Sequence, residues 1–258
     1  MRLDKYIANT TDLSRKEVKI AIKNGWVDVD DQLASDPGMK VPEGASVAIN
    51  GEYLKAPAPR YFMLNKPQGA VCATKDSNNM TVLEFFEEEP NSDKLHIAGR
   101  LDIDTTGLVL ITDDGKWTHQ VISPNAECPK RYYVETLKSI EPTTIKAFER
   151  GVMLQGEAKR CRPAALELLD TDRCLLTIHE GKYHQVKRMF ASQGNEVIKL
   201  HREAVGNIVL DEELMEGEYR ALSEEEAFKT LEQSIPFKES TKGRSRLSHF
   251  RANYFCSF

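Results

Sequence analysis

Residues 99–115, GRLDIDTTGLVLITDDG, place a guanidinium, two carboxylates and two hydroxyls (Arg100, Asp102, Asp104, Thr105, Thr106) directly before the apolar run 108–112. A loop tied at one end to a buried strand holds its polar side chains in place, which is the setting chemistry needs. The same residue types also make ordinary turns, in which Asp102, Asp104 and Thr105 bond backbone amides. A calcium loop is a third reading of D-I-D-T-T-G, and the pattern argues against it. Its fifth position is Thr106, an unbroken apolar strand follows Gly107, and position twelve is Asp113 instead of Glu. The six histidines form no H-E-x-x-H, and the five cysteines (Cys72, Cys128, Cys161, Cys174, Cys256) contain no C-x-x-C pair. Neither a metal site nor a disulfide framework is expected. A nucleotide-binding enzyme has little support, because neither G-x-x-x-x-G-K-[ST] nor G-x-G-x-x-G follows a strand.

The surrounding elements must position that loop. From residue 60 to 232, β-rich runs (YFMLN, GLVLIT, RYYVETL, AALELLD, CLLTIHE, EVIKLH, NIVL) alternate with helical ones (VLEFFEE, TTIKAFERG, QVKRMFASQG, EEAFKTLEQ). Several strands follow one another without a helix of crossover length, which predicts an α+β domain with a largely antiparallel mixed sheet flanked by helices. Upstream, Ser14 caps a short amphipathic helix with Glu17 at the capping-box position, Val18, Ala21 and Ile22 on one face and Gly25 as its stop. An earlier helix, LDKYIANT, pairs with it ahead of the strand-like WVDVDD and VAIN. The polar, proline-punctuated stretch 52–59 reads as a linker. Three regions result: a small N-terminal domain over 1–55, a larger domain over 60–232, and a tail over 233–258. The tail carries Lys238, Lys242, Arg244, Arg246 and Arg251 against Glu239, and reads either as a basic arm or as an inert extension.

With 258 residues, 40% hydrophobic and 29% charged, the chain has the composition of a soluble globular protein. Its first residues lack the apolar run of a secretory signal, and a cytoplasmic protein is expected. The net charge of -5 hides an uneven distribution. Residues 1–24 hold Arg2, Lys5, Arg15, Lys16, Lys19 and Lys23 against three acids, while acid concentrates in EFFEEEP and LSEEEAF. A basic helix face is either simply solvated or an anchor for phosphates.

MRLDKYIA, SRKEVKIAIKNGWVDVD and VPEGASVAI resemble, in that order, the S4-type RNA-binding module, in which two helices and a short hairpin grip structured RNA. GRLDIDTTGLVLIT is similar to the G-R-L-D-x-x-T-x-G-L motif of the RsuA-like ribosomal RNA pseudouridine synthases. RYFMLNKPQG, CPKRYYVETL and EGKYHQVKRMF resemble that family's N-K-P-x-G, K-x-Y-x-V and G-x-x-x-Q-[VI]-[KR]-R-M segments, and EVIKLHREAVGNIVL continues the pattern. The resemblance spans nearly residues 1–230 and implies isomerisation of uridine to pseudouridine, without metal or redox cofactor. It further implies Asp102 as the essential carboxylate with Arg100 beside it, and Lys187 as its basic partner with Arg188 as the adjacent alternative. Tyr132 would stack on the target base, with Leu200 as apolar packing beneath the ring. Asp102 would act as nucleophile or would deprotonate the sugar. The uridine would have to be flipped from its stack. Around such a pocket Arg60, Lys66, Arg100, Lys182, Arg188, Lys199 and Arg202 are candidate phosphate or ribose contacts, while the N-terminal basic residues anchor RNA farther away. The match is closest to the branch that modifies 16S rRNA, at the position numbered 516, acting on that RNA or on a partly assembled small subunit. A 23S enzyme of the same family and a non-catalytic assembly factor remain alternatives. Monomer is the default state.

Overall fold

The computed structural model describes residues 1–55, 58–123 and 126–229; the tail at 233–258 lies outside them. Helices α1 (Leu3–Thr10) and α2 (Arg15–Lys23) open the chain. The Ser14 hydroxyl accepts from the Glu17 amide while the Glu17 carboxylate takes the Ser14 amide, so the capping box is closed. The strands β1 (Val27–Val29), β2 (Gln32–Leu33), β3 (Val47–Ile49) and β4 (Glu52–Tyr53) then form a sheet ordered β2-β1-β3-β4, antiparallel throughout. The apolar faces of both helices bury Leu3, Ile7, Val18 and Ile22 with Val27 and Val47, a core built only from this N-terminal segment.

The rest of the chain contributes β5 (Tyr61–Lys66), β6 (His96–Ile97), β7 (Thr106–Thr112), α3 (Gly115–Ile122), β8 (Lys130–Thr136) and α4 (Pro142–Glu149). These are followed by β9 (Ala165–Leu168), β10 (Arg173–Ile178), α5 (Gln185–Ala191), β11 (Val197–Val205), β12 (Ile208–Val209), β13 (Tyr219–Ala221) and α6 (Glu224–Lys229). The sheet runs β13-β5-β7-β11-β8-β10-β9, with β12 on β11 and β6 on β7. Among these pairings β7–β11 is parallel and the others are antiparallel, so the larger part has the mixed, largely antiparallel sheet that the element order predicts.

Both faces of the central strands are covered, which explains why YFMLN and GLVLIT are continuously apolar. Phe62, Leu64, Val109, Ile111 and Val134 point into a core shared with Phe148 of α4 and Met189 and Phe190 of α5. Tyr61, Met63, Leu108 and Leu110 point the other way, onto Trp117 and Val121 of α3 and Ala227 of α6. Two expectations change. VLEFFEE forms only a 3-10 turn over Glu84–Phe86, its amides bonding three residues back (Phe86 to Leu83, Glu87 to Glu84) and Pro90, which has no amide hydrogen, following closely. Helix α3 was not foreseen; the Asp114 carboxylate caps it by accepting from the Lys116 and Trp117 amides.

Candidate active site

The loop between β6 and β7 is shaped from below by two buried cations. Lys66, the last residue of β5, is wholly buried, and its ammonium donates to the carbonyls of Thr105 (2.8 Å), Pro67 (3.0 Å) and Ile103 (3.3 Å). Arg202 on β11 donates to the carbonyls of Leu108 (2.8 Å), Gly99 (3.0 Å) and Arg100 (3.3 Å). The Gly69 amide adds a bond to the Ile103 carbonyl at 2.8 Å. Arg202 reaches the loop because β11 pairs in parallel with β7, Arg202 facing Gly107. That close approach demands glycine. Gly107 has φ +99, and a Cβ there would lie 2.4 Å from the Arg202 carbonyl oxygen.

The turn itself closes through the backbone, the Thr105 amide donating to the Asp102 carbonyl at 3.1 Å. The Asp102 carboxylate therefore does not serve as the turn's cap. Its Oδ2 lies 3.5 Å from Lys187 Nζ and its Oδ1 lies 3.4 Å from His184 Nε2, with 28% of the side chain exposed. Lys187 sits closer still to Asp104, at 2.5 Å. Burial pushes the Asp104 carboxyl up, and the hydrogen bond and charge of Lys187 more than offset it, leaving its pKa below the ordinary range. Lys187 thus bridges two carboxylates instead of serving Asp102 alone. Among the described residues, no group of three His, Cys, Asp or Glu side chains is placed to hold a metal ion.

Both partners of Asp102 come from the start of α5. Spacing i, i+3 puts His184 and Lys187 on one side of the first turn. The preceding loop is locked by Gln185, whose side chain accepts from the Lys182 amide (2.8 Å) and donates to Glu180 (2.9 Å). His184 was not singled out from the sequence, although the H-x-x-K spacing beside the expected lysine was a legible signal.

Other expected site residues divide by position. Tyr132 on β8 is 8% exposed and shares an apolar cluster with Leu101, Val186, Met189 and Leu200, which places it on the side of the sheet where the Asp102 loop begins. Arg100 is exposed next to Asp102. Four basic residues have their donors engaged within the fold, which corrects the expectation for the buried Lys66 and Arg202. Lys66 and Arg202 spend their donors on the loop's own carbonyls and, being buried, do not face an incoming phosphate. Arg188 is held by Glu157 (3.2 Å) and by the carbonyls of Tyr183 (2.9 Å) and Gln155 (2.5 Å). Arg60 precedes β5, at the strand end opposite Lys66, where it pairs with Asp113 at 2.9 Å and donates to the Pro90 and Asn91 carbonyls. Lys182 lies 3.3 Å from Glu157, and Lys199 lies 4.0 Å from Glu135. In the N-terminal part Lys5, Arg15, Lys16, Lys19 and Lys23 are exposed, while Arg2 is engaged by Asp4 at 3.0 Å.

A partly exposed carboxylate flanked by an ammonium and an imidazole, on a loop bound to a mixed sheet, is chemically suited to act as a nucleophile or a base. Residues 60–192 match the model of the family described as RNA pseudouridylate synthase. The ribosomal small subunit pseudouridine synthase A of Vibrio cholerae is 49% identical over 226 residues, 88% of this chain and 97% of its own length. The protein of the same name from Escherichia coli K12 is 49% identical over 227 residues, covering 88% and 98%. A solved pseudouridylate synthase is 44% identical, covers 89% of this chain and 99% of its own, and superposes with a TM-score of 0.65. The chain belongs to the RNA pseudouridylate synthase family.

Proposed function

We propose that this enzyme converts one uridine of 16S rRNA to pseudouridine in the cytoplasm, with Asp102 as the carboxylate that acts on the nucleotide. The observation that carries the reading is the Asp102 geometry: its turn is closed by backbone, leaving the carboxylate partly exposed between Lys187 and His184. The reaction breaks the bond from C1′ to N1 and forms one from C1′ to C5. The C5 proton leaves and N1 gains one, so the composition is unchanged and neither oxidant nor reductant is required. Asp102 either attacks the sugar or removes a sugar proton, and Lys187 holds it in place while stabilising negative charge nearby. Tyr132 would meet the flipped base, with Leu200 as apolar support from the same cluster. Arg100, exposed beside Asp102, is suited to contact a phosphate or ribose. Residues 1–55 would act as an S4-type RNA-binding domain through Lys5, Arg15, Lys16, Lys19 and Lys23. Specificity for small-subunit rRNA is supported by relatives that bear that name along nearly their whole length.

The test is pseudouridine mapping of rRNA from cells lacking the protein, complemented with wild type or Asp102→Asn, which nearly preserves shape and removes the charge. One 16S pseudouridine should vanish, return with wild type and stay absent with a folded Asp102→Asn protein. A missing mark in 23S rRNA instead would move the substrate to the large subunit. Restoration by Asp102→Asn would overturn the assignment of the carboxylate, and a map unchanged in both RNAs would favour a non-catalytic assembly factor.

A further inference from the structure

Tyr183 is 73% exposed, the highest value among the exposed large hydrophobic side chains of the described residues. It is not loosely placed. Its ring stacks on the His184 ring with centroids 3.8 Å apart and planes 19° from parallel. His184 in turn reaches Asp102 at 3.4 Å. A ring so exposed while one face is covered presents its other face to solvent, one stacking layer beyond the histidine that touches the carboxylate.

The backbone that carries this pair is held at a cost. His184 has φ 46, a left-handed conformation that a residue bearing a Cβ adopts only where its surroundings impose it. The surroundings do so from both sides. The Tyr183 carbonyl accepts from Arg188 at 2.9 Å, and the Gln185 amide donates to the Lys182 carbonyl at 3.1 Å. An aromatic face in water gains nothing for folding, yet here it is fixed on a strained, braced turn beside the reacting carboxylate.

Single-stranded and splayed RNA is gripped by stacking bases on exposed aromatic faces. A uridine flipped toward Asp102 leaves its neighbours unstacked on at least one side. We propose that Tyr183 is the stacking platform for the nucleobase that flanks the flipped uridine, replacing the stack that base loses. The inference rests on the rRNA reading above and adds to it a specific contact outside the reacting atoms. Tyr183 is a binding residue, so its effect belongs in affinity and KM, whereas a residue that merely props His184 against Asp102 would act on kcat.

The experiment uses the full-length enzyme and a 16S rRNA fragment carrying tritium at uridine C5, with turnover read as released tritium and Kd measured by filter binding. Tyr183→Ala should raise Kd and KM by roughly five- to a hundredfold while the loss in kcat stays within about twofold, and Tyr183→Phe should restore both. A fragment lacking the base at the 5′ or the 3′ neighbour of the target should cost the wild type a similar factor at one of the two positions. It should then cost Tyr183→Ala nothing more, because a contact already lost cannot be lost twice. A Tyr183→Ala defect confined to kcat, an unchanged Kd, or equal abasic penalties in both proteins would overturn the platform while wild-type turnover still upheld the rRNA reading. Absence of turnover by wild type on any 16S fragment or assembly intermediate would instead sink that reading and the platform with it.

Discussion

Replacing Lys66 by Met keeps the length and volume of a buried side chain and removes its donors, so it isolates what the ammonium does for the Asp102 loop. Three carbonyls lose a hydrogen bond, those of Thr105 (2.8 Å), Pro67 (3.0 Å) and Ile103 (3.3 Å). Ile103 retains the Gly69 amide at 2.8 Å, which leaves the Thr105 and Pro67 carbonyls as the groups most exposed to loss. Hydrogen bonds to a charged donor contribute about 1.5–3 kcal/mol each, and a stranded carbonyl costs about 1–3 kcal/mol. Against this stands the cost of keeping an ammonium away from water, the same burial that lowers the Lys66 pKa. The balance is a loss of about 2–4 kcal/mol, or a fall in Tm of roughly 5–15 °C for a domain of this size. Function should suffer more than stability. Ile103 and Thr105 lie within the turn that begins at Asp102, and a displacement of about 1 Å at a reacting group costs roughly a hundredfold in kcat. Calorimetry gives the Tm, and tritium release from C5-labelled rRNA under saturating substrate gives kcat. A Lys66→Met protein with wild-type Tm and wild-type turnover would show that the ammonium does not hold the loop.

Two further perturbations probe the seam behind the site. Gly107→Ala should destabilise the protein by more than about 3 kcal/mol or prevent folding, since its Cβ would meet the Arg202 backbone, 2.4 Å from the carbonyl oxygen, at φ +99; wild-type urea resistance in that variant would contradict the β7–β11 register. Burial, with Lys199 adding to it, pushes the pKa of His201 from 6.5 down to about 4. The folded state therefore refuses a proton that the unfolded chain accepts between those values, and stability is full above pH 6.5 and falls as pH drops towards 4. At about 1.4 kcal/mol per pKa unit the loss is on the order of 3 kcal/mol. Urea unfolding at pH 7 and pH 4.5 should show this loss in wild type and a smaller one in His201→Asn; equal losses in both would assign it to other groups.

Where a local rule decided the structure, the sequence was readable. Ser14 and Glu17 announced a capping box and Gly25 the end of its helix, and the structure has α2 at Arg15–Lys23. The apolar runs YFMLN and GLVLIT announced strands, and the structure has β5 and β7 there. The quoted motifs carried the family, because residue type and order along a loop suffice for that. VLEFFEE shows the limit: its helical spacing could not separate an α-helix from the 3-10 turn that forms ahead of Pro90.

Charge alone could not separate a lysine that meets RNA from one that holds the protein together. Arg60, Lys66, Arg188 and Arg202 looked alike as surface cations, and only folding assigned their donors to Asp113, to loop carbonyls and to Glu157. The parallel β7–β11 pairing brings Arg202 beneath a loop about a hundred residues away in the chain, since its guanidinium reaches the Arg100 carbonyl. The start of α5 likewise delivers His184 and Lys187 to Asp102 across a comparable separation. Sequence determined which groups were present and which local turns they prefer. Which donor meets which acceptor depends on contacts between distant segments, and burial decides whether a cation is spent on carbonyls of the fold or left for a substrate.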